Sequence, residues 1–211
     1  MGVNVLPDIY DYWSLQESFH YFPVASRISR KRFLEIRRYL HFVDNSTLAQ
    51  RGDPEYDRLG KIRSVIDAVN EALVSSYDPN CENSIDEAMI KFKGCSSLKQ
   101  YVPLKPVKRG IKAWVRADAR NGIMCELSVY TGKEGDQTET NLGAKVIKKL
   151  TRKIGHNHHI YCDNYFTSVP LFEELLEDDS TYACGTFRRD RKGIPQDIKN
   201  AGKYVHVTQY T

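Results

Sequence analysis

Two stretches of the sequence decide its fold, Ser84-Ile85-Asp86-Glu87-Ala88-Met89-Ile90 and Ile160-Tyr161-Cys162-Asp163-Asn164-Tyr165-Phe166. Each is typical of a β-strand with one aspartate, Asp86 or Asp163, among apolar residues. Aspartate is disfavoured inside strands, and burying its charge costs several kcal/mol unless that charge is paired or bound to a metal. Each carboxylate is therefore either a metal ligand or a structural group that caps a turn or pairs with a lysine.

The residues from Ser84 onward predict the element order β-β-β-α-β-α-β. The predicted strands are Ser84–Phe92, Ile111–Ala119, Met124–Tyr130, His159–Tyr165 and Tyr182–Phe187, and the predicted helices are Gly143–Ile154 and Val169–Glu177. Asn121-Gly122 marks a tight hairpin turn, so the first three strands form an antiparallel meander. A right-handed helical crossover then returns the fourth strand parallel to a neighbour. This succession resembles that of ribonuclease-H-like domains.

If the first and fourth strands are neighbours, Asp86 and Asp163 converge. Two carboxylates that close repel each other, and a bound cation relieves the repulsion. Oxygen ligands suit Mg²⁺. Two such ions about 3.5–4 Å apart clamp the attacking and leaving oxygens of a phosphoryl transfer.

The first 80 residues are predicted to be helical. Ser29 is placed to cap a helix in which Phe33, Ile36, Leu40 and Val43 recur on one face. A second helix is expected from Leu59 to Ser76, before Asp78-Pro79-Asn80. Two amphipathic helices cannot bury both apolar stripes alone, so they need a third element or a partner.

Composition limits the class of protein. The 211 residues are 41% hydrophobic, 27% charged and 11% aromatic, which is a globular composition and excludes a disordered chain or a coiled coil. No apolar run approaches ~18 residues, so we expect no membrane-spanning segment. Five widely spaced cysteines without a C-x-x-C pair favour a reducing compartment over a disulfide framework.

Positive charge is concentrated in two segments. Between Ala88 and Arg120 there are nine lysines and arginines against one acid, Asp118, and a second basic run lies between Ser26 and Asn45. Such segments favour a polyanionic partner, although two solvated faces explain them equally well.

His156, His158, His159 and Cys162 also suggest zinc ligands. The residue types are suitable, but two of the histidines fall in a loop and Cys162 points away from the Asp163 face. A polar loop before a strand is the better interpretation.

Several motifs resemble those of piggyBac-type transposases. Two of them contain the aspartates: Ser84–Ile90 with the following Lys91-Phe92-Lys93-Gly94, and Cys162-Asp163-Asn164-Tyr165-Phe166-Thr167-Ser168. The others are Leu98-Lys99-Gln100-Tyr101-Val102-Pro103, Gly185-Thr186-Phe187-Arg188 and Arg191-Lys192-Gly193-Ile194-Pro195. Upstream, Asp11-Tyr12-Trp13-Ser14 and Ser29-Arg30-Lys31-Arg32-Phe33 resemble the helical dimerisation and DNA-binding domain of that family.

The resemblance implies a ribonuclease-H-like core in which three aspartates bind Mg²⁺ or Mn²⁺ for cut-and-paste DNA transposition at TTAA sites. Asp86 and Asp163 match the first and second aspartates. The third belongs to a helix that the family places beyond Thr211. We therefore expect this chain to be catalytically incomplete, with weak metal binding. The alternative is a domesticated, non-catalytic DNA-binding or interaction protein.

The resemblance also implies an α+β (or α/β) organisation in three segments: a helical domain at 1–80 that is truncated at its N-terminus, a partial catalytic core at 81–195, and the start of an insertion domain at 196–211. The expected DNA contacts are Lys99, Lys105, Lys108, Arg109, Lys112, Arg30 and Arg37. DNA is the expected partner, with a homodimer possible, no small-molecule substrate, and the nucleus as the location.

Overall fold

The computed structural model describes residues 5–19, 21–132, 141–188, 193–194 and 207–208. The helices are α1 (Phe22–Ala25), α2 (Arg30–Tyr39), α3 (Arg63–Ser76), α4 (Leu142–Thr151) and α5 (Val169–Asp179), with 3-10 turns at Ile9–Trp13 and Asn45–Thr47. The strands are β1 (Glu82–Lys91), β2 (Lys99–Tyr101), β3 (Arg109–Asp118), β4 (Met124–Val129), β5 (His159–Cys162), β6 (Tyr182–Gly185) and β7 (Val207–Thr208). Among these residues, no helix is both long enough and apolar enough to cross a bilayer.

Helix α2 begins where the sequence predicts, because the Ser29 hydroxyl accepts the Arg32 backbone N–H at 3.3 Å. It ends at Tyr39, four residues before the predicted Val43. Leu40 is already extended, and the Asp44 side chain accepts the Ser46 N–H at 2.9 Å to begin the next 3-10 turn. This local side-chain cap competes with continuation of the helix.

Helix α3 starts four residues later than expected, at Arg63 instead of Leu59. The Asp57 carboxylate accepts the Leu59 N–H at 2.9 Å and the Arg63 Nε–H at 2.7 Å, which holds the intervening residues in turns. The guanidinium of Arg63 also holds the pKa of Asp57 below its usual value.

The apolar stripes of α2 and α3 are incompletely covered, since neither helix contains a fully buried residue. Ile36 is 45% exposed and Leu40 is 56% exposed. The expectation that these helices need a further packing partner agrees with this exposure.

The strands form one mixed sheet in the order β2-β3-β1-β5-β6-β7, with β4 also paired to β3. The β1–β3 and β3–β4 pairs are antiparallel, while β1–β5 and β5–β6 are parallel. The predicted α+β class is confirmed, and the first and fourth predicted strands are parallel neighbours. The short strand β2 was not predicted.

The connection after β3 is longer than the tight hairpin that the sequence predicts. It runs from 119 to 123, and Gly122 adopts φ 74° within it, a conformation that suits glycine. The Asp118 carboxylate accepts the Arg120 N–H at 2.8 Å and the Tyr77 hydroxyl at 2.6 Å, which stabilises the wider loop. The Tyr77 hydroxyl holds the pKa of Asp118 well below its usual range.

Helices α4 and α5 cover one face of the sheet and form the core with it. Ile147 and Leu150 of α4 are fully buried and pack with Ile85, Trp114 and Ile160 of the strands. Aliphatic burial of this kind stabilises the fold by about 25 cal/mol per Å² of apolar surface removed from water.

The outer edge of β4 is closed by a side chain of α3. The Asn70 amide nitrogen donates to the Leu127 carbonyl at 2.9 Å, and its oxygen accepts the Leu127 N–H at 2.9 Å. Unpaired edge groups are a template for association with other chains, so this amide protects the sheet at that point.

The segment predicted as the start of an insertion domain, 196–211, is described only at 207–208. These two residues form β7, antiparallel to β6. The rest of that segment, and Arg191, Lys192 and Pro195 of the family motif, lie outside the described residues.

Candidate metal centre and nucleic-acid interface

The pairing of β1 with β5 brings Asp86 and Asp163 together. The parallel register joins Ser84 to Tyr161 and Ile85 to Cys162, so one position further along lie Asp86 and Asp163. Neighbouring strands are about 4.8 Å apart, and side chains alternate between the two faces. Ile85 and Cys162 face the helix-covered core, and the two aspartates therefore share the opposite face.

Both carboxylates are exposed, although each lies among apolar residues in the sequence. The physical reason is that α4 and α5 cover only the other face, and that β5 ends at Cys162, just before Asp163. Their charges therefore stay hydrated, and the desolvation cost anticipated from the sequence is avoided.

One oxygen of each carboxylate is oriented by a backbone N–H. Asp86 Oδ1 accepts the Glu87 N–H at 2.7 Å, and Asp163 Oδ1 accepts the Tyr165 N–H at 2.8 Å. The second oxygen of Asp86 faces the Lys105 ammonium at 3.9 Å, in a pair that is partly exposed to water. Exposed carboxylate oxygens from neighbouring strands fit a hard divalent cation such as Mg²⁺. Within the described residues, no cluster of three or more His, Cys, Asp or Glu side chains suited to a metal is formed.

Lys105 is the basic residue that the structure places beside this pair. It lies in the loop between β2 and β3, where the Val102 N–H donates to the Lys108 carbonyl at 2.9 Å. Its Nζ is 3.9 Å from Asp86 Oδ2 and 3.4 Å from the Glu87 carbonyl oxygen. Lys105 therefore provides a positive charge at the edge of the carboxylate pair.

Lys108 and Arg109 lie exposed in the same loop and at the start of β3. The Arg109 guanidinium lies 5.3 Å from the centroid of the Tyr101 ring, which is itself 61% exposed. Lys99 donates from Nζ to the Gly94 carbonyl at 2.8 Å. Lys108 and Arg109 form an exposed basic surface next to Lys105, and the half-buried Lys99 flanks it.

Lys112 is placed differently from the other basic residues predicted to bind DNA. Its Nζ is 3.3 Å from Glu87 Oε2, and both side chains are only 16% exposed. Its ammonium is therefore engaged inside the protein, which argues against its use as a phosphate contact.

The arginines predicted on the N-terminal helix, Arg30 and Arg37, are both exposed on α2. They lie on a different element from the basic residues of β2, β3 and the loop between them.

The histidines considered as zinc ligands diverge. The His158 Nδ1 lies 3.3 Å from the Asn83 amide nitrogen, while the His159 ring stacks on Tyr182 with centroids 5.1 Å apart. Each thus has a structural contact of its own, as the polar-loop interpretation expects.

Sequence reasoning missed Glu87 and Tyr101, which contact Lys112 and Arg109 respectively. For Glu87 a signal was available. Lys112 and Trp114 are two residues apart and so share a face of β3, and Glu87 is the residue of β1 that pairs with Trp114. For Tyr101 no signal separates an exposed aromatic from a buried one.

The sequence model of the family described as Transposase IS4 matches residues 1–209. PiggyBac transposable element-derived protein 3 of Homo sapiens is 29% identical over 185 residues, covering 85% of this chain and 30% of that protein. PiggyBac transposable element-derived protein 2 of Homo sapiens is 30% identical, with 85% of this chain and 30% of that protein covered.

A solved structure is similar as well, the cryo-EM structure of the piggyBac transposase synaptic complex with hairpin DNA. It matches with a TM-score of 0.76 and 30% identity, over 90% of this chain and 40% of that chain. The resemblance to piggyBac-type transposases is thereby confirmed. The chain spans about a third of the length of these curated relatives, 30% in each case.

Proposed function

Since the chain belongs to the Transposase IS4 family, we propose that it carries part of a DNA-processing core of the piggyBac type, with a ribonuclease-H-like arrangement. The adjacency of Asp86 and Asp163 across the β1–β5 pair is the observation that supports this most directly. We further propose 1–80 as the helical domain, 81–195 as the core and 196–211 as the start of an insertion.

Asp86 and Asp163 are the residues that would hold Mg²⁺ or Mn²⁺. When bound, a divalent cation supplies Lewis-acid stabilisation of the phosphodiester oxygens. The Glu87 and Tyr165 N–H groups hold one oxygen of each carboxylate and so limit their rotation. Two carboxylates hold a single cation weakly, and the two-metal clamp requires closer control of geometry. The 211-residue chain alone is therefore proposed to bind DNA without completing transposition.

The β2–β3 surface is the proposed path of the DNA backbone. Lys105, Lys108 and Arg109 lie there within one loop and the adjoining strand end, next to Asp86. Each phosphate neutralised by such a side chain releases counterions, which makes binding fall steeply with salt. Lys99 flanks this surface, and Arg30 and Arg37 provide a second one on α2.

A non-catalytic, domesticated DNA-binding role is the second candidate. The ion pair of Lys105 with Asp86 favours it, because a lysine ammonium already offsets the carboxylate charge where a metal would bind. In either case, a nuclear location follows from DNA as the partner. The exposed apolar residues of α2 support a homodimer as a further proposal.

The test combines binding and cleavage on end-labelled terminal-repeat DNA with Mg²⁺ or Mn²⁺. We expect salt-dependent binding that a Lys108→Gln, Arg109→Gln double variant weakens, and no strand-specific nicking. Nicking that Asp86→Ala abolishes would show that the two carboxylates suffice for catalysis. Binding unaffected by the double variant would overturn the proposed DNA surface.

A further inference from the structure

The side chain of Lys112 lies where β1, β3, β4 and the residues after β5 meet. Its Nζ is 3.3 Å from Glu87 Oε2, in a pair whose side chains are each 16% exposed. An ion pair so shielded from water is screened little by salt, so it holds its geometry better than a surface pair.

Three aromatic rings surround the same ammonium. The Nζ lies 5.6 Å from the centroid of Trp114, 5.8 Å from that of Tyr130 and 5.3 Å from that of Tyr165. A cation within about 6 Å of a ring face is attracted by its electron density. Trp114 belongs to β3 and Tyr130 follows the last residue of β4, whereas Tyr165 comes from the turn that follows Asp163.

Two of these contacts lead directly to the proposed metal ligands. The residue that pairs with Lys112, Glu87, donates its backbone N–H to Asp86 Oδ1 at 2.7 Å. The residue whose ring covers Lys112, Tyr165, donates its backbone N–H to Asp163 Oδ1 at 2.8 Å. Lys112 thus contacts the side chain of each residue that orients an aspartate.

We propose that Lys112 is a positioning residue, which fixes the spacing and orientation of the Asp86 and Asp163 carboxylates from the opposite face of the sheet through Glu87 and Tyr165. The inference rests on the proposed function of the two aspartates. It assigns to Lys112 an internal role in place of the DNA contact that the sequence predicts.

The position of Asp163 explains why such a device matters. Asp163 lies just beyond the last residue of β5, where the regular strand gives way to a turn. Its turn is secured locally by the Phe166 and Thr167 N–H groups, which donate to the Asp163 carbonyl at 3.2 Å each. The contact of Tyr165 with Lys112 joins this turn to β3, in addition to the burial of Phe166 in the core.

The test uses the full chain and two pairs of variants. Lys112→Met keeps the aliphatic stem and removes the charge, and Lys112→Arg restores a cation. Tyr165→Leu removes the ring, and Tyr165→Phe keeps it. Lys91→Met, at the exposed end of β1, is the matched control. The readouts are hydrogen–deuterium exchange of peptides covering 163–167 and 124–129, and Mn²⁺ affinity from electron paramagnetic resonance titration.

In Lys112→Met and Tyr165→Leu we expect faster exchange at 163–167 and unchanged exchange at 124–129. The Mn²⁺ affinity of both variants should fall roughly tenfold, as it does when outer-shell partners of a metal site are lost. Lys112→Arg and Tyr165→Phe should behave as the unaltered chain does. Unchanged exchange at 163–167 in Lys112→Met, or failure of both conservative variants to restore it, would overturn the proposal.

Failure of the proposed function gives a different result. If the unaltered chain and Asp86→Asn show the same Mn²⁺ affinity, the aspartates are not the metal ligands, while the exchange experiment still decides whether Lys112 positions the turn. If Lys112→Met does not fold, the variants Tyr165→Leu and Tyr165→Phe test the proposal instead. Tyr165 is 38% exposed, so its replacement leaves the core in place.

Discussion

Lys105 and Asp86 form an ion pair that joins the β2–β3 loop to the middle of β1, with Nζ 3.9 Å from Oδ2. The lysine side chain is 33% exposed and the aspartate side chain 65% exposed, so water weakens their attraction. The same ammonium lies at the boundary between the carboxylates and the basic surface. It is therefore placed to affect both cation binding and DNA binding, in opposite directions.

Replacing Lys105 by Met should strengthen Mn²⁺ binding, because a competing positive charge beside Asp86 is removed. For a partly exposed pair the gain should be roughly threefold. Titration followed by electron paramagnetic resonance measures it, with Lys91→Met as the control. A loss of Mn²⁺ affinity in Lys105→Met would contradict the prediction and show that the lysine supports the cation site.

Replacing Arg109 by Gln should weaken DNA binding uniformly across sequences and lower the slope of log affinity against log salt by about one, as expected for one lost phosphate contact. Fluorescence anisotropy at several salt concentrations provides the measurement. Arg152→Gln is the control, because Arg152 is exposed at the end of α4, on the helix-covered side of the sheet. An equal effect of both replacements would indicate general charge attraction only.

Replacing Asn70 by Leu should destabilise the fold, because the Leu127 N–H and carbonyl both lose their partner. Leaving such groups unsatisfied costs about 1–3 kcal/mol. Urea unfolding measures the loss, and light scattering should show association through the opened strand edge. Ser75→Ala is the matched control on the same helix, since its hydroxyl donates to the Ala72 carbonyl within that helix. Equal stability of the two variants would refute the role of Asn70.

Stability should fall as the solution is acidified below about pH 4.5, partly through Glu82. The Arg120 guanidinium donates to both Glu82 carboxylate oxygens at 2.9 Å, and the Cys81 thiol donates to one. These bonds lower the pKa of Glu82 from 4.5 to about 2. Because the folded pKa lies below the unfolded one, the stabilisation is complete above pH 4.5 and is lost as the pH falls toward 2.

Thermal unfolding of the unaltered chain and of Glu82→Gln between pH 2 and 7 checks this expectation. The variant should be less stable at neutral pH, with the difference shrinking toward pH 2 as the unaltered carboxylate becomes protonated. A difference that stays constant over the whole range would show that Glu82 acts through packing and not through its charge.

The position of the two aspartates was accessible from sequence because it depends on topology. A strand that returns through a helical crossover lies parallel to a neighbour, and if that neighbour is the first strand, as the β1–β5 pair is, Asp163 comes close to Asp86. Their exposure was not accessible, since it depends on which face α4 and α5 cover. An aspartate among apolar residues is equally compatible with a strand buried on both faces and with a strand that has one face exposed to solvent.

The environment of Lys112 shows where sequence reasoning stops. Lys112 is opposite Met89 in the register, and its contact with Glu87 is diagonal, so the pair depends on how two long side chains lean along their strands. The Tyr165 ring reaches it only because the chain turns back after β5. Strand alternation indicates that Glu87 and Lys112 share a face, but the reach of the Tyr165 ring leaves no periodic trace in the sequence.

Because β5 is short, the two aspartates are held in place in different ways. Asp86 lies in the middle of β1, opposite Val115, so its backbone can shift only together with β1 and β3. Asp163 follows a four-residue strand, and its turn is held by Phe166, which is buried in the core, and by the contact of Tyr165 with Lys112. The position of Asp86 is therefore set by the pairing of β1 with β3, and that of Asp163 depends largely on the packing of the side chains that follow it.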